Sequence, residues 1–188
     1  MKTAYDIELP ASKETLAQLA PGQAVRLFGS IYTMRDAGHM RTLEYLKQKG
    51  ELPFGLSGQA LFYAGPTPPR AGRALGAIGP TTASRMDSAT PALLKAGINL
   101  TLGKGRRSAE VAQACADTGS VYLMAVGGAA AYLASFVQAS ELIAWEDLGT
   151  EALRHLTLNG LPAFVGIDSR GQEQGLPLVA KREGCTSQ

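Results

Sequence analysis

Along the first strand-like run, Tyr5, Ile7 and Leu9 alternate with Asp6 and Glu8. A period of two sends every other side chain to one face, and Pro10 closes the run. A half-buried strand is expected there. Ala24–Thr33 (AVRLFGSIYT) predicts a second strand. From Asp36 to Lys49 the period lengthens: Met40, Leu43 and Lys47 share one helical face, and Gly50 supplies the stop. Leu56–Tyr63 predicts a strand, Pro66–Gly72 a proline-rich loop and Ala74–Ile78 a short strand ending at Gly79-Pro80, with a helix starting at Thr81 or Thr82. Ile98–Leu102 is an expected strand that enters a Gly103-Lys104-Gly105 loop, and Ser108 is placed to cap a helix through Ala116. The order repeats in Val121–Val126, the Gly127-Gly128 turn and the Ala-rich helix Ala129–Val137. Leu142–Trp145 and Ala163–Ile167 are expected late strands, the second running into an Asp168–Gly171 turn. The tail Lys181–Gln188 is expected to fray.

Strands and helices in this order predict an α/β domain, in a layered α+β arrangement, with several strand-to-helix turns on one edge. Such edges make anion sites. No internal repeat and no linker rich in Pro, Gly or Ser divides the chain, so one domain over residues 1–188 is expected, long enough to bury a core without staples.

Composition narrows the function. Apolar residues make up 45% and charged residues 18%, which argues against disorder. The net charge is +2, and the dense basic cluster is Lys104, Arg106 and Arg107. With only 6% aromatic residues to stack on bases, a nucleic-acid partner is not expected. No charge falls between Asp117 and Glu141, a stretch long enough to span a bilayer, but its strand, glycine turn and helix pattern reads as buried protein instead. No membrane contact is expected. The N-terminus lacks an apolar signal core, and Cys115 and Cys185 make no disulfide framework, so a cytoplasmic protein is expected.

Three segments could carry chemistry. In Gly79-Pro80-Thr81-Thr82-Ala83-Ser84-Arg85-Met86-Asp87, a helix starting at Thr81 or Thr82 would aim free N–H groups at an anion, with Arg85 one turn on from Thr81 facing the same way. A guanidinium grips a carboxylate bidentately and keeps its charge. The competing reading is an ordinary threonine cap beside a solvated arginine. In Arg35-Asp36-Ala37-Gly38-His39, Arg35 and His39 are four apart and would offer a second cation and a titratable donor, although a lone helical histidine is more often structural. Gly103-Lys104-Gly105-Arg106-Arg107-Ser108 matches neither GxxxxGK[ST] nor GxGxxG, which leaves Lys104 as a point charge for a carboxylate or as an exposed loop lysine.

Taken together, these segments resemble the β subunit, or C-terminal domain, of class I iron–sulfur fumarate hydratases and the related tartrate dehydratases. The resemblance runs through Arg35–His39, Tyr63-Ala64-Gly65-Pro66, Gly79–Asp87, Gly103–Gly105, Val126-Gly127-Gly128 and Trp145-Glu146-Asp147-Leu148-Gly149, in order. It implies a swivelling β/β/α domain and reversible addition of water to fumarate, giving malate. In that family a [4Fe–4S] cluster acts as Lewis acid on the leaving hydroxyl, and the α half supplies its cysteines. Two thiols cannot supply the three protein ligands such a cluster takes, so the cluster is expected on a partner α subunit and no metal on this chain, within a higher heteromer.

Carried over by position, Arg35, Arg85 and Lys104 match the family's substrate-carboxylate residues, and Thr81 the threonine proposed to remove the C3 proton. Thr82 is expected to cap the helix or donate to the substrate. His39 and Gly79 are supporting members of the motifs with no assigned step. The substrate expected is fumarate or malate; tartrate or another hydroxy-dicarboxylate is the near alternative, and an anion-binding module without catalysis the distant one. The family often has Ala at the position of Gly38, where glycine adds some flexibility.

Overall fold

The computed structural model of the chain describes residues 4–69 and 71–173. Seven strands and five short helices alternate through it. Strands β1 (Tyr5–Leu9), β2 (Ala24–Thr33), β3 (Ala60–Phe62), β4 (Leu100–Gly103) and β5 (Val121–Met124) are joined in parallel, each to the next. Strands β6 (Val137–Ala144) and β7 (Leu153–Ile167) are antiparallel to each other. Strand β7 closes the sheet. Most of its length pairs with β2, from Phe164 opposite Ala24 to Arg154 opposite Thr33, while its end also pairs with β5. The strands β2, β3, β4, β5 and β7 therefore form a ring, with β1 and β6 attached outside it. The layered α/β expectation holds.

Alternation explains how one sheet serves two cores. Ala60, Phe62, Leu100, Leu102, Val121 and Leu123 point into the ring with Leu27, Ile31 and Val165. The intervening Leu61, Tyr63 and Tyr122 point outward, against α3 (Thr90–Lys95) and α4 (Ala109–Thr118). Strands covered on both faces read as continuous apolar runs, which is how β3 and β5 appear in the sequence, while Thr101 interrupts β4. Helix α1 (Lys13–Leu16) and α5 (Ala130–Ala134) contribute Leu16 and Leu133 to the inner core.

Helix α2 (Asp36–Lys49) ends as expected, on Gly50 at φ 76°. Its buried face is Gly38, His39 and Thr42, whereas Met40 is 62% exposed. Three expectations change. Ala74–Ile78 is a loop: Thr67 and Ala77 pair with each other, and the N–H of Ile78 goes to Ala130. No α-helix starts at Thr81 or Thr82; a single 3₁₀ turn, Ala83–Met86, stands there. The helix expected to run to Val137 ends at Ala134, and strand β6 begins at Val137. The long apolar stretch resolves into β5, a turn and α5, and among the described residues no helix is long and apolar enough to cross a membrane. The expected frayed tail lies outside the described residues.

Candidate functional site

The parallel strands β2 to β5 end on one edge, the place where open α/β sheets expose loops and helix starts to ligands. Arg35 follows β2, Tyr63 to Gly65 follow β3, Lys104 follows β4 and Gly127 follows β5. Pro80 to Ala83 is laid across this edge as a short extra strand. The N–H of Thr81 donates to the Tyr63 carbonyl at 2.6 Å, that of Lys104 to the Thr81 carbonyl at 3.1 Å, and that of Ala83 to the Lys104 carbonyl at 2.8 Å. Bridges join Ala64 to Pro80 and Thr82 to Lys104. These pairings consume the N–H groups of Thr81 and Ala83, and a 3₁₀ turn stands where an α-helix was expected, so the expected helix-end cradle is absent. The close approach depends on Gly103, where a Cβ would meet Ala83 Cβ and a Tyr63 ring carbon at 3.0 Å each.

Thr82 occupies the N-cap position of the 3₁₀ turn but makes no side-chain cap bond, and it is exposed. It lines an open depression of about 380 Å³ with Lys104, Gly105, Met124, Ala125, Val126, Gly127 and Phe164. The depression is mostly apolar, with Lys104 as its cation.

Arg35 and Arg85 meet at a residue that sequence reasoning passed over. Asp36 accepts from Arg85 Nε at 2.9 Å, its second oxygen lies 2.9 Å from Arg85 Nη2, and that same oxygen is 3.7 Å from Arg35 Nη2. Glu151 is the other missed residue. One of its oxygens is 3.4 Å from Arg35 Nη2, and the other accepts the Ala37 N–H at 2.9 Å, a carboxylate at the positive end of α2. An acid in the first turn of a helix reads as a dipole partner, which hid Asp36; Glu151 is 114 positions from Ala37 and gave no local signal.

His39 lies beneath this edge. It is 1% exposed, its ring edge-on to Tyr63 at 5.0 Å. Its Nδ1 donates to the Arg35 carbonyl at 2.8 Å, which leaves Nε2 as the lone-pair nitrogen. Burial pushes its imidazole down to about 4, so it is neutral near pH 7. Its Nδ1 thus holds the backbone of Arg35, while Nε2 is buried without a partner among the described residues. Gly79 backs against Ala130, where a Cβ would sit at 3.2 Å. Gly38 is tight rather than loose: a Cβ there would meet Met34 Cγ at 2.4 Å.

The glycine-lysine loop is held from below. Arg107, its side chain fully buried, pairs with Asp87 at 2.6 Å and donates to Thr90 at 2.6 Å, its guanidinium over the rings of Tyr63 and Tyr122. Asp87 also accepts the Ser108 N–H at 2.8 Å, and Tyr122 donates to the Gly105 carbonyl at 2.8 Å. The third base in the cluster is thus a structural pin, and Ser108 starts α4 without a side-chain cap bond.

The described residues do not fit an iron–sulfur cluster. Among them no three His, Cys, Asp or Glu side chains gather to hold a metal ion, and Cys115 is buried in α4, where desolvation pushes its thiol up to about 12. Cys185 lies outside the described residues.

Fold and site define an α/β domain whose strand edge presents two arginines, a lysine and a threonine pair on a rigid backing. A family model described as Fumarase C-terminus matches residues 1–174, and the chain belongs to that family. It is 37% identical over 180 residues to the anaerobic class I fumarate hydratase of Escherichia coli K12, covering 93% of this chain and 33% of that protein. It is 35% identical over 172 residues to fumarate hydratase 2 of Leishmania major, covering 89% of this chain and 30% of the relative. Against a putative L(+)-tartrate dehydratase subunit beta of Methanocaldococcus jannaschii it is 36% identical over 166 residues, 85% of each chain. The chain thus spans about a third of the length of the fumarate hydratases it matches.

Proposed function

We propose that this chain is the β subunit of a hydro-lyase that reversibly hydrates fumarate to malate, gripping the substrate's carboxylates while a partner α subunit carries the [4Fe–4S] cluster. The observation that carries the reading is the convergence of Arg35 and Arg85 on Asp36, beside the Thr81–Lys104 pairing. Two guanidiniums held this way are set for a planar carboxylate before any substrate arrives, which lowers the ordering cost of binding. In this reading Arg35 and Arg85 take one carboxylate and Lys104 the other, with the Thr82 hydroxyl donating to the bound dicarboxylate. Thr81 exchanges the C3 proton.

A threonine hydroxyl is a poor base at neutral pH and needs an ionised neighbour. The nearby carboxylates of this chain are committed: Asp36 to Arg85, Glu151 to the start of α2, Asp87 to Arg107 and Ser108. The activating group is therefore assigned to the α subunit. His39 holds the Arg35 backbone, and through it the angle at which Arg35 leaves α2.

One observation favours a second reading, the β subunit of a tartrate dehydratase: the putative tartrate dehydratase relative matches over 85% of both chains. The two readings separate in one experiment. The chain is co-purified anaerobically with its α partner and assayed on malate, fumarate and both tartrate enantiomers. Malate and fumarate turnover is expected, and Arg85→Ala and Arg35→Ala are each expected to lower kcat/KM at least about tenfold, the loss of one charge-assisted contact. Full activity of both variants at subsaturating malate would remove the carboxylate assignment. Turnover of tartrate alone would favour the second reading.

A further inference from the structure

Next to the strand edge, where Thr150 backs onto Gly65, a second cavity of about 400 Å³ opens between the proline-rich loop and the β6–β7 hairpin. Its lining includes Ser140, Leu142 and Arg154, with Pro66, Pro68 and Leu75 opposite. The strand register explains the grouping. Arg154 on β7 stands across from Thr33 on β2 and from Leu142 on β6, and Ser140 is across from Leu156, two positions along. Residues paired across antiparallel strands emerge on the same face, so Thr33, Arg154, Leu142 and Ser140 belong to one surface.

That surface is polar and unsatisfied. Thr33 Oγ1, Ser140 Oγ and Arg154 Nε are all buried and without a hydrogen-bond partner. A buried polar atom left unpaired costs about 1–3 kcal/mol, and folds rarely leave several together without an occupant. Among the described residues Arg154 also forms no ion pair. The facing wall is apolar, and the exposed Glu146 on the same lining disfavours a second negative charge on any occupant.

We propose that this cavity binds a small monocarboxylate with a short aliphatic body, its carboxylate on Arg154 and Ser140 and its aliphatic part against Leu142 and the prolines. The dicarboxylates proposed for the strand edge carry one charge too many for it. The site does not depend on the chain being a hydro-lyase.

The test is an NMR titration of the full ¹⁵N-labelled chain with sodium butanoate, with sodium chloride at equal ionic strength as control. Saturable shifts centred on Leu142, Thr150 and Arg154 are expected, with a Kd of about 1 mM or below, the affinity of one charge-assisted contact plus a few buried methylenes. Arg154→Gln should raise the Kd at least tenfold. Should that variant fail to fold, Leu142→Asp changes a position already 37% exposed and must raise it as much. Linear shifts, equal shifts with chloride, saturation centred on Lys104 and Gly105, or undiminished affinity in the folded variants would each overturn the proposal.

Discussion

Thr81 and Thr82 are neighbours that the backbone uses in different ways. Thr81 is locked by both of its backbone groups, to Tyr63 and Lys104, whereas Thr82 faces outward over the Lys104 depression. Since neither hydroxyl is the cap bond of the following turn, valine at either position should leave thermal stability nearly unchanged. In the assembled enzyme Thr81→Val is expected to lose about a hundredfold or more in kcat with little change in KM, the size of a lost proton-transfer group. Thr82→Val should mainly raise KM. Exchanged outcomes in steady-state kinetics would exchange the two roles; no loss from either would move the base to the partner. At His39 the prediction concerns pH. Its folded value, about 4, lies below the ordinary 6.5, so the unfolded chain binds the extra proton between those values. Stability linked to His39 is complete above about pH 6.5 and is lost as the pH falls towards 4. Urea denaturation at pH 7 and pH 4.5 should show a loss of up to a few kcal/mol, and His39→Gln should flatten it. An unchanged slope in the variant would deny the burial cost.

Among the elements, the 3₁₀ turn and the loop after β4 show how near neighbours in sequence differ in energetics. Asp87 and Arg107 form a buried pair, with the Arg107 side chain 0% exposed, while Arg85, two residues before Asp87, is 50% exposed in its pair with Asp36. Removing one partner of a buried pair strands a charge. Asp87→Ala is expected to cost about 3–5 kcal/mol and Arg85→Ala at most about 1 kcal/mol, read by equilibrium denaturation of each. Comparable losses would mean that the two pairs do similar work. Elements whose code is local were readable from the sequence: β1 from its alternation, β2 from its apolar run, and the extent of α2 from Gly50, although its buried face is Gly38, His39 and Thr42 and not the Met40, Leu43 and Lys47 stripe. At the strand edge, Arg35 and Lys104 follow β2 and β4 as the sequence placed them, whereas Thr81 and Arg85 flank a 3₁₀ turn where a helix start was expected. What was not readable is long-range. Strand β7 carries Arg154, His155, Asn159, Gly160 and Pro162, which spoil its alternation, and it is a strand because β2 and β6 pair with it. The turn after Pro80 has helix-start chemistry but is pulled straight by Tyr63 and Lys104. Asp36 and Glu151 take their meaning only from partners 49 and 114 positions away.

For the molecule as a whole, the described edge presents cations and hydroxyls but assembles no metal centre. Purified without a partner, the chain is expected to be colourless, free of iron and without hydratase activity, by absorption and iron analysis. A brown preparation with stoichiometric iron would end the split-subunit reading. Closure of the ring has a further consequence, for the timing of synthesis. The strand that joins β2 to β5 spans Leu153–Ile167, late in the chain. On the ribosome, strands β2 to β5 emerge earlier with their outer backbone edges open, and those edges invite pairing with other nascent chains. The partly made sheet therefore stays adhesive until Leu153–Ile167 is in place. A chain ended after Ala144, which lacks the closing strand, should aggregate on release where the full chain does not.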